Sequence, residues 1–269
     1  MAARNTKNVG RKHKDIAAPA WTDNPIQTLT GHSGSVHRVS FSNSRHHLVS
    51  CSSDKKTRVW SLDRNTLIAD AGHLQAITCV DLSPDGRYLV SASEDKSLCL
   101  WDGDQGTFIC KKMHDDSVAL TIHFSDDSNY LVTGAHDGVV RIWDISNGTP
   151  TCTRRFQGHI DWARAAVFAP EGKLIASGSD DGMVCLWNVA DPDPDGELLG
   201  SHHDYVTSLA FSPDGTLLFA SGGDDRQIQV WRRKGETGAE FLGTLPGVSG
   251  KVTTVTFTPD SSQPKCLTL

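Results

Sequence analysis

Tryptophan recurs in this chain at a nearly fixed interval: Trp60, Trp101, Trp143, Trp187 and Trp231 are 41, 42, 44 and 44 residues apart. A period of about 20–50 residues marks a fold made by stacking one supersecondary unit, so it constrains the architecture more than composition does. Six residues before each tryptophan stands an aspartate: Asp54, Asp95, Asp137, Asp181 and Asp225. Four residues before each aspartate stands a hydroxyl: Ser50, Ser91, Thr133, Ser177 and Ser221. Upstream of each set lies a histidine, as Gly-His at His32, His73 and His159. The glycine is missing at His114 and at His202 or its neighbour His203.

The stretch Gly72 to Asp102 is the most regular copy. Ile77, Val80 and Leu82, then Tyr88 to Val90, then Leu98 to Trp101, then Phe108 and Ile109 read as four short strands, with the alternation of half-buried antiparallel pairs. The turns Ser83-Pro84-Asp85-Gly86, Ala169-Pro170-Glu171-Gly172 and Ser212-Pro213-Asp214-Gly215 join first to second strands. Proline presets φ there and glycine supplies the positive φ. Four such strands cannot bury a face alone; arranged radially as blades, they bury it between neighbours. No segment has useful helical periodicity. The expectation is an all-β propeller of four-stranded antiparallel blades.

The period, the Gly-His openings and the closures Trp101-Asp102 and Trp143-Asp144 resemble the WD-repeat (WD40-type) β-propeller family over roughly residues 26–257. The other closures drift to Trp60-Ser61, Trp187-Asn188 and Trp231-Arg232. Repeats run about 25–65, 66–106, 107–150, 151–195 and 196–240, with a partial sixth over 241–269. There GVSGKVTTVTF restarts the pattern with Val252, Val255 and Phe257, and no Ser, Asp and Trp landmarks follow. The resemblance implies that an N-terminal strand, here Ile26 to Thr30, completes the last blade. Five complete blades and a fragment fall short of the family's usual seven, so the chain reads as truncated from a six- or seven-bladed ring.

Residues 1–24 read as a disordered basic tail: Arg4, Lys7, Arg11, Lys12 and Lys14 meet no acidic residue before Asp15. Of 26 basic and 32 acidic residues, the chain after Lys14 keeps 21 and 32. A repeat body this acidic is a poor direct binder of nucleic acid. Arg11-Lys12-His13-Lys14 reads as solvated tail or as a nuclear-import patch. Neither a membrane span nor a secretory leader is expected. Seven cysteines without CxxC spacing point to reduced thiols inside the cell, in cytoplasm or nucleus.

Ser, His and Asp together invite a catalytic triad, but an enzyme needs one nucleophile with an oxyanion hole, and this quartet occurs five times. The resemblance implies a structural hydrogen-bond chain His–Ser/Thr–Trp–Asp instead. Asp191-Pro192-Asp193-Pro194-Asp195-Gly196 matches the start of a calcium loop, but its twelfth position is His202 rather than Glu. It reads as an acidic surface loop, and Arg232 to Glu236 as a solvated hairpin tip. No metal, cofactor or catalytic residue is expected.

Surface remains. The resemblance implies that first strands line a central channel and that residues three and five past each histidine, with the one before each aspartate, open on one rim. The candidates are His37, Trp162, Arg164, Tyr205, Glu94, Asp180 and Asp224. Trp162 and Tyr205 stand where other repeats carry Ser or Ala, and they read either as interface anchors or as channel packing. The carboxylates suit a peptide bearing Lys or Arg. The expected function is a non-catalytic protein-interaction scaffold within a multiprotein complex; the alternative is a nuclear, chromatin- or RNA-associated propeller reading a basic peptide.

Overall fold

The computed structural model describes residues 27–41, 46–191, 196–235, 238–245, 250–257 and 264–268. The chain divides into a unit of residues 1–30 and a unit from Gly31 onward. Residues 27–30, the described part of the first, carry no strand, so the outer strand expected over Ile26 to Thr30 is not formed there. The basic tail, Pro192 to Asp195 and Glu236 lie outside the described residues.

The second unit holds five four-stranded antiparallel sheets and one two-stranded sheet, with no helix among the described residues. Blade one is β1 (Val36–Phe41), β2 (His47–Ser52), β3 (Lys56–Ser61) and β4 (Thr66–Gly72). Blade two is β5 (Ile77–Leu82), β6 (Tyr88–Ser93), β7 (Ser97–Asp102) and β8 (Phe108–Met113). Blade three is β9 (Ala119–Phe124), β10 (Tyr130–Ala135), β11 (Val140–Asp144) and β12 (Thr151–Phe156). Blade four is β13 (Ala163–Phe168), β14 (Leu174–Ser179), β15 (Met183–Asn188) and β16 (Glu197–Ser201). Blade five is β17 (Val206–Phe211), β18 (Leu217–Gly222), β19 (Ile228–Arg233) and β20 (Ala239–Thr244). Blade six holds β21 (Val252–Phe257) and β22 (Pro264–Thr268), the latter a strand that its polar, proline-led sequence did not suggest.

First strands pack in succession, β1 on β5, β5 on β9, β9 on β13, β13 on β17 and β17 on β21. Each core lies between blades. Ile77, Val80 and Leu82 face Val49, Cys51 and Val59 of blade one, whereas Cys79 faces Ala119, Ile122 and Trp143 of blade three. A bulge after the first residue of each inner strand makes this two-sided burial possible, because it shifts the alternation by one. The second residue then reaches the next blade. His37 Nδ1 lies 2.8 Å from the Ile77 carbonyl, Thr78 donates to the Ala119 carbonyl at 2.6 Å, and Thr207 to the Val252 carbonyl at 2.9 Å.

Blade one breaks the pattern on one flank. Val36, Val39 and Phe41, at the positions of Ile77, Val80 and Leu82, are 51%, 51% and 59% exposed. Val252 and Val255 occupy the same positions in blade six and are buried against Phe219, Ile228 and Val230 of blade five.

Candidate interaction rim

The repeated quartets are set by hairpin geometry. In blade two, His73 Nε2 lies 2.7 Å from Ser91 Oγ, Trp101 Nε1 donates to the same oxygen at 2.9 Å, and Asp95 stands 3.3 Å from His73 Nδ1. Blade four repeats this with His159–Ser177 at 2.7 Å, Trp187–Ser177 at 2.7 Å and His159–Asp181 at 3.2 Å. Blade one does so with His32, Ser50, Asp54 and Trp60, and Arg58 adds a 2.9 Å contact to Asp54. Burial works against charge on Asp95, but hydrogen bonds from Ser97, the Leu74 amide and Lys111 outweigh it and hold the carboxyl well below the usual range. Burial lowers His73 and His159, and their aspartates only partly offset it.

Two quartets depart from the expected form. In blade three, His114 and Trp143 still share Thr133 Oγ1, at 2.8 and 3.0 Å. Asp137, however, is taken by Arg141, with contacts of 3.0 and 2.6 Å, and His114 Nδ1 has no hydrogen-bond partner. Burial, then the charge of Arg141, pushes His114 down to about 4.

In blade five, His202 rather than His203 meets the aspartate, at 2.7 Å from Asp225. The serine expected at 221 is displaced. Leu218 pairs with Trp231 as Ile175 pairs with Trp187, so Ala220, not Ser221, stands at the position of Ser177. Without that hydroxyl, Trp231 Nε1 donates to the Leu199 carbonyl at 3.2 Å, and His202 Nε2 has no partner. Counting back from the tryptophan cannot detect this, because the hairpin through Gly222-Gly223 is one residue longer.

The rim candidates fall into two groups. The amides of Ser53, Glu94, Asp180 and Gly223 bond the carbonyls of Ser35, Ala76, Trp162 and Tyr205, which sets one side chain from each strand along one edge. In blade three the pair is His136 and Val118, because the loop after His114 is a residue longer and shifts Ser117 inward. His37 Nδ1 lies against the Ile77 carbonyl and so links blades one and two, while the residue stays exposed.

Over blades three to six the rim carries an unbroken stack. The His136 ring lies on Trp162 with centroids 3.9 Å apart and planes 14° off parallel. Arg164 Cζ stands 5.1 Å from the Trp162 ring and 5.5 Å from the Tyr205 ring, and Lys251 Nζ lies 4.8 Å from the Tyr205 ring. Arg164 forks onto Asp180, one link being 2.7 Å, and Lys251 approaches Asp224 at 3.6 Å and the Tyr205 hydroxyl. Asp180 and Asp224, expected to await a partner's Lys or Arg, therefore already face cations of this chain. His136 and Lys251 complete the stack. His136 stands directly before an aspartate but is not among the sequence candidates, and Lys251 lies in a stretch without landmarks.

The family model for the WD domain, G-beta repeat, matches residues 23–61, 65–102, 106–144, 150–188 and 193–232. The chain belongs to the WD40 repeat family. A search of curated proteins found no match. WD40 repeats generally mediate protein–protein interaction, and propellers built from them are typically non-catalytic. In this WD40 chain no group of three or more His, Cys, Asp or Glu among the described residues is arranged to hold a metal.

Proposed function

We propose that this WD40 chain is an intracellular, non-catalytic adaptor that docks a partner protein on the rim of blades three to six. The carrying observation is the stack His136–Trp162–Arg164–Tyr205–Lys251. Trp162 is 38% exposed although no hydrophobic cluster of the core includes it. Rigid aromatics and a held guanidinium are the groups that anchor interfaces, since little side-chain entropy remains to be lost on binding. With Asp180 and Asp224 engaged internally, the rim is set for a partner that lays an apolar group on Trp162 and offers acceptors to the outer N–H groups of Arg164 and Lys251. Cys51, Cys79, Cys99, Cys110, Cys152 and Cys185 are free thiols, which accords with a reducing compartment, cytoplasmic or nuclear.

The test is affinity purification with mass spectrometry on wild type and on Trp162→Ala plus Arg164→Ala. The expected result is loss of a defined set of partners with the fold kept; an unchanged set contradicts the reading.

A further inference from the structure

A second surface lies at the opposite ends of the strands, between blades three and four. A cavity of about 430 Å³ opens there, its apolar lining made by Ile142, Phe168, Val189 and Tyr130. Four carboxylates line it against a single cation, Arg154, which is bonded to the Asp191 carbonyl. One of the four, Glu171, is paired with Arg233; Asp126 stands exposed at the inner end. Asp126, Phe168 and Pro170 also line the larger cavity, of about 830 Å³, bounded by the inner strands, so the groove runs on inward from the gap between blades.

The neighbouring junctions show why this one is open. Between blades two and three the turns are stapled, the Asp85 amide donating to Ser128 Oγ at 3.1 Å, and Cys110 Sγ reaches the Gly148 carbonyl. Between blades four and five the Glu171–Arg233 ion pair does the same. Between blades three and four the outer link is kept, Arg154 donating to the Asp191 carbonyl, but the turn staple is lost: the residue in the place of Ser128 is Gly172, at the same point of the following turn. It has no hydroxyl, and a Cβ built on it meets nothing within 4 Å. The gap is lined by apolar side chains that the adjacent core already holds rigid.

We propose that this groove is a second docking site, for a partner peptide that seats a bulky apolar side chain on Phe168 and Ile142 and sets a flanking Lys or Arg against Asp126 and Asp144. The excess of carboxylates selects a cationic partner, the apolar lining selects the side chain beside the charge, and the continuous track selects an extended chain over a compact ligand. The site is separate from the rim, so an adaptor of this kind holds two partners at opposite ends of its blades.

The probe is the blocked tripeptide Lys-Phe-Lys, titrated into the full chain labelled at its Ile and Val methyls. Glu-Phe-Glu and Lys-Gly-Lys serve as comparisons. The expected result is a saturable shift of the Ile142 and Val189 signals with Lys-Phe-Lys, without movement of Val118 on the rim. Affinity should be at least fivefold weaker for either comparison peptide. Asp126→Lys should weaken Lys-Phe-Lys about tenfold, and Gly172→Ser, which restores the staple residue of the preceding junction, should abolish the shift. Ser128 shows that serine is accepted in this conformation, its φ being 62° against 71° at Gly172. No shift at millimolar peptide, equal binding of Glu-Phe-Glu, or binding unchanged in both variants overturns the proposal. Shifts that depend on protein concentration without peptide also overturn it and assign the groove to a second copy of the chain.

Discussion

Blades two and four share one framework and carry different edges. Both close the full His–Ser–Trp–Asp chain with nearly the same distances, 2.7 Å from histidine to serine in each. At the rim, blade two presents Ala76 and Thr78, the latter spent on the Ala119 carbonyl, while blade four presents Trp162 and Arg164. What the blades have in common specifies the fold, and what blade four adds specifies a contact. Blade three extends the lesson. A quartet can lose its His–Asp link and still keep a blade folded, provided Arg141 satisfies the aspartate.

The sharpest way to break this comparison is to strip the shared oxygen from both blades. Ser91→Ala and Ser177→Ala each leave a buried histidine nitrogen and a buried indole N–H unmet, at about 1–3 kcal/mol apiece, so each should lower urea stability by roughly 3–4 kcal/mol. Unequal losses would mean that the two frameworks are not equivalent.

Acid probes the contrast with blade three. His114 titrates at about 4 in the fold against an ordinary 6.5, so it is neutral when folded and gains a proton more readily when unfolded. Its contribution is fully present above pH 6.5 and is lost as pH falls toward 4, on the order of 3 kcal/mol in all. His73 and His159 are lowered in the same direction and act with the same sign. His114→Gln should flatten, not abolish, the decline in urea midpoint between pH 6.5 and 4. A decline of unchanged steepness would contradict the role given to the unpartnered Nδ1.

The smallest effect concerns the blade clamps. Thr78→Val removes one bond between blades two and three and should cost about 1 kcal/mol in thermal or urea unfolding. Leu120 at the same place in blade three makes no such bond, so Leu120→Val should fall short of any hydrogen-bond loss.

Much of the fold was legible because the landmarks are residues whose chemistry the hairpins require, such as Ser91 and Trp101. The shifted register at Ser221 was not, since an extra hairpin residue changes register without changing the count from Trp231. The rim aromatics Trp162 and Tyr205 could be picked out as departures from the pattern. Their cations could not be assigned, because the approach of Arg164 to both rings and of Lys251 to Tyr205 joins residues up to 46 apart and depends on how blades pack. The inter-blade bond of His37 was hidden for the same reason: its offset matches Arg164, yet its neighbour offers a carbonyl. The open groove at Gly172 carries no motif at all; only comparison with Ser128 across the junctions exposes it.

The account rests on separating a structural tryptophan from a contact tryptophan within one blade. Urea unfolding of Trp187→Ala and Trp162→Ala tests that directly. Trp187 is fully buried and hydrogen-bonded to Ser177, so its loss should cost roughly 3–5 kcal/mol. Trp162, 38% exposed, loses its stacking on His136 and Arg164 together with its partial burial, roughly 1–2 kcal/mol. Equal destabilisation by the two substitutions would show that Trp162 is packing for the propeller and would contradict the rim as a docking surface.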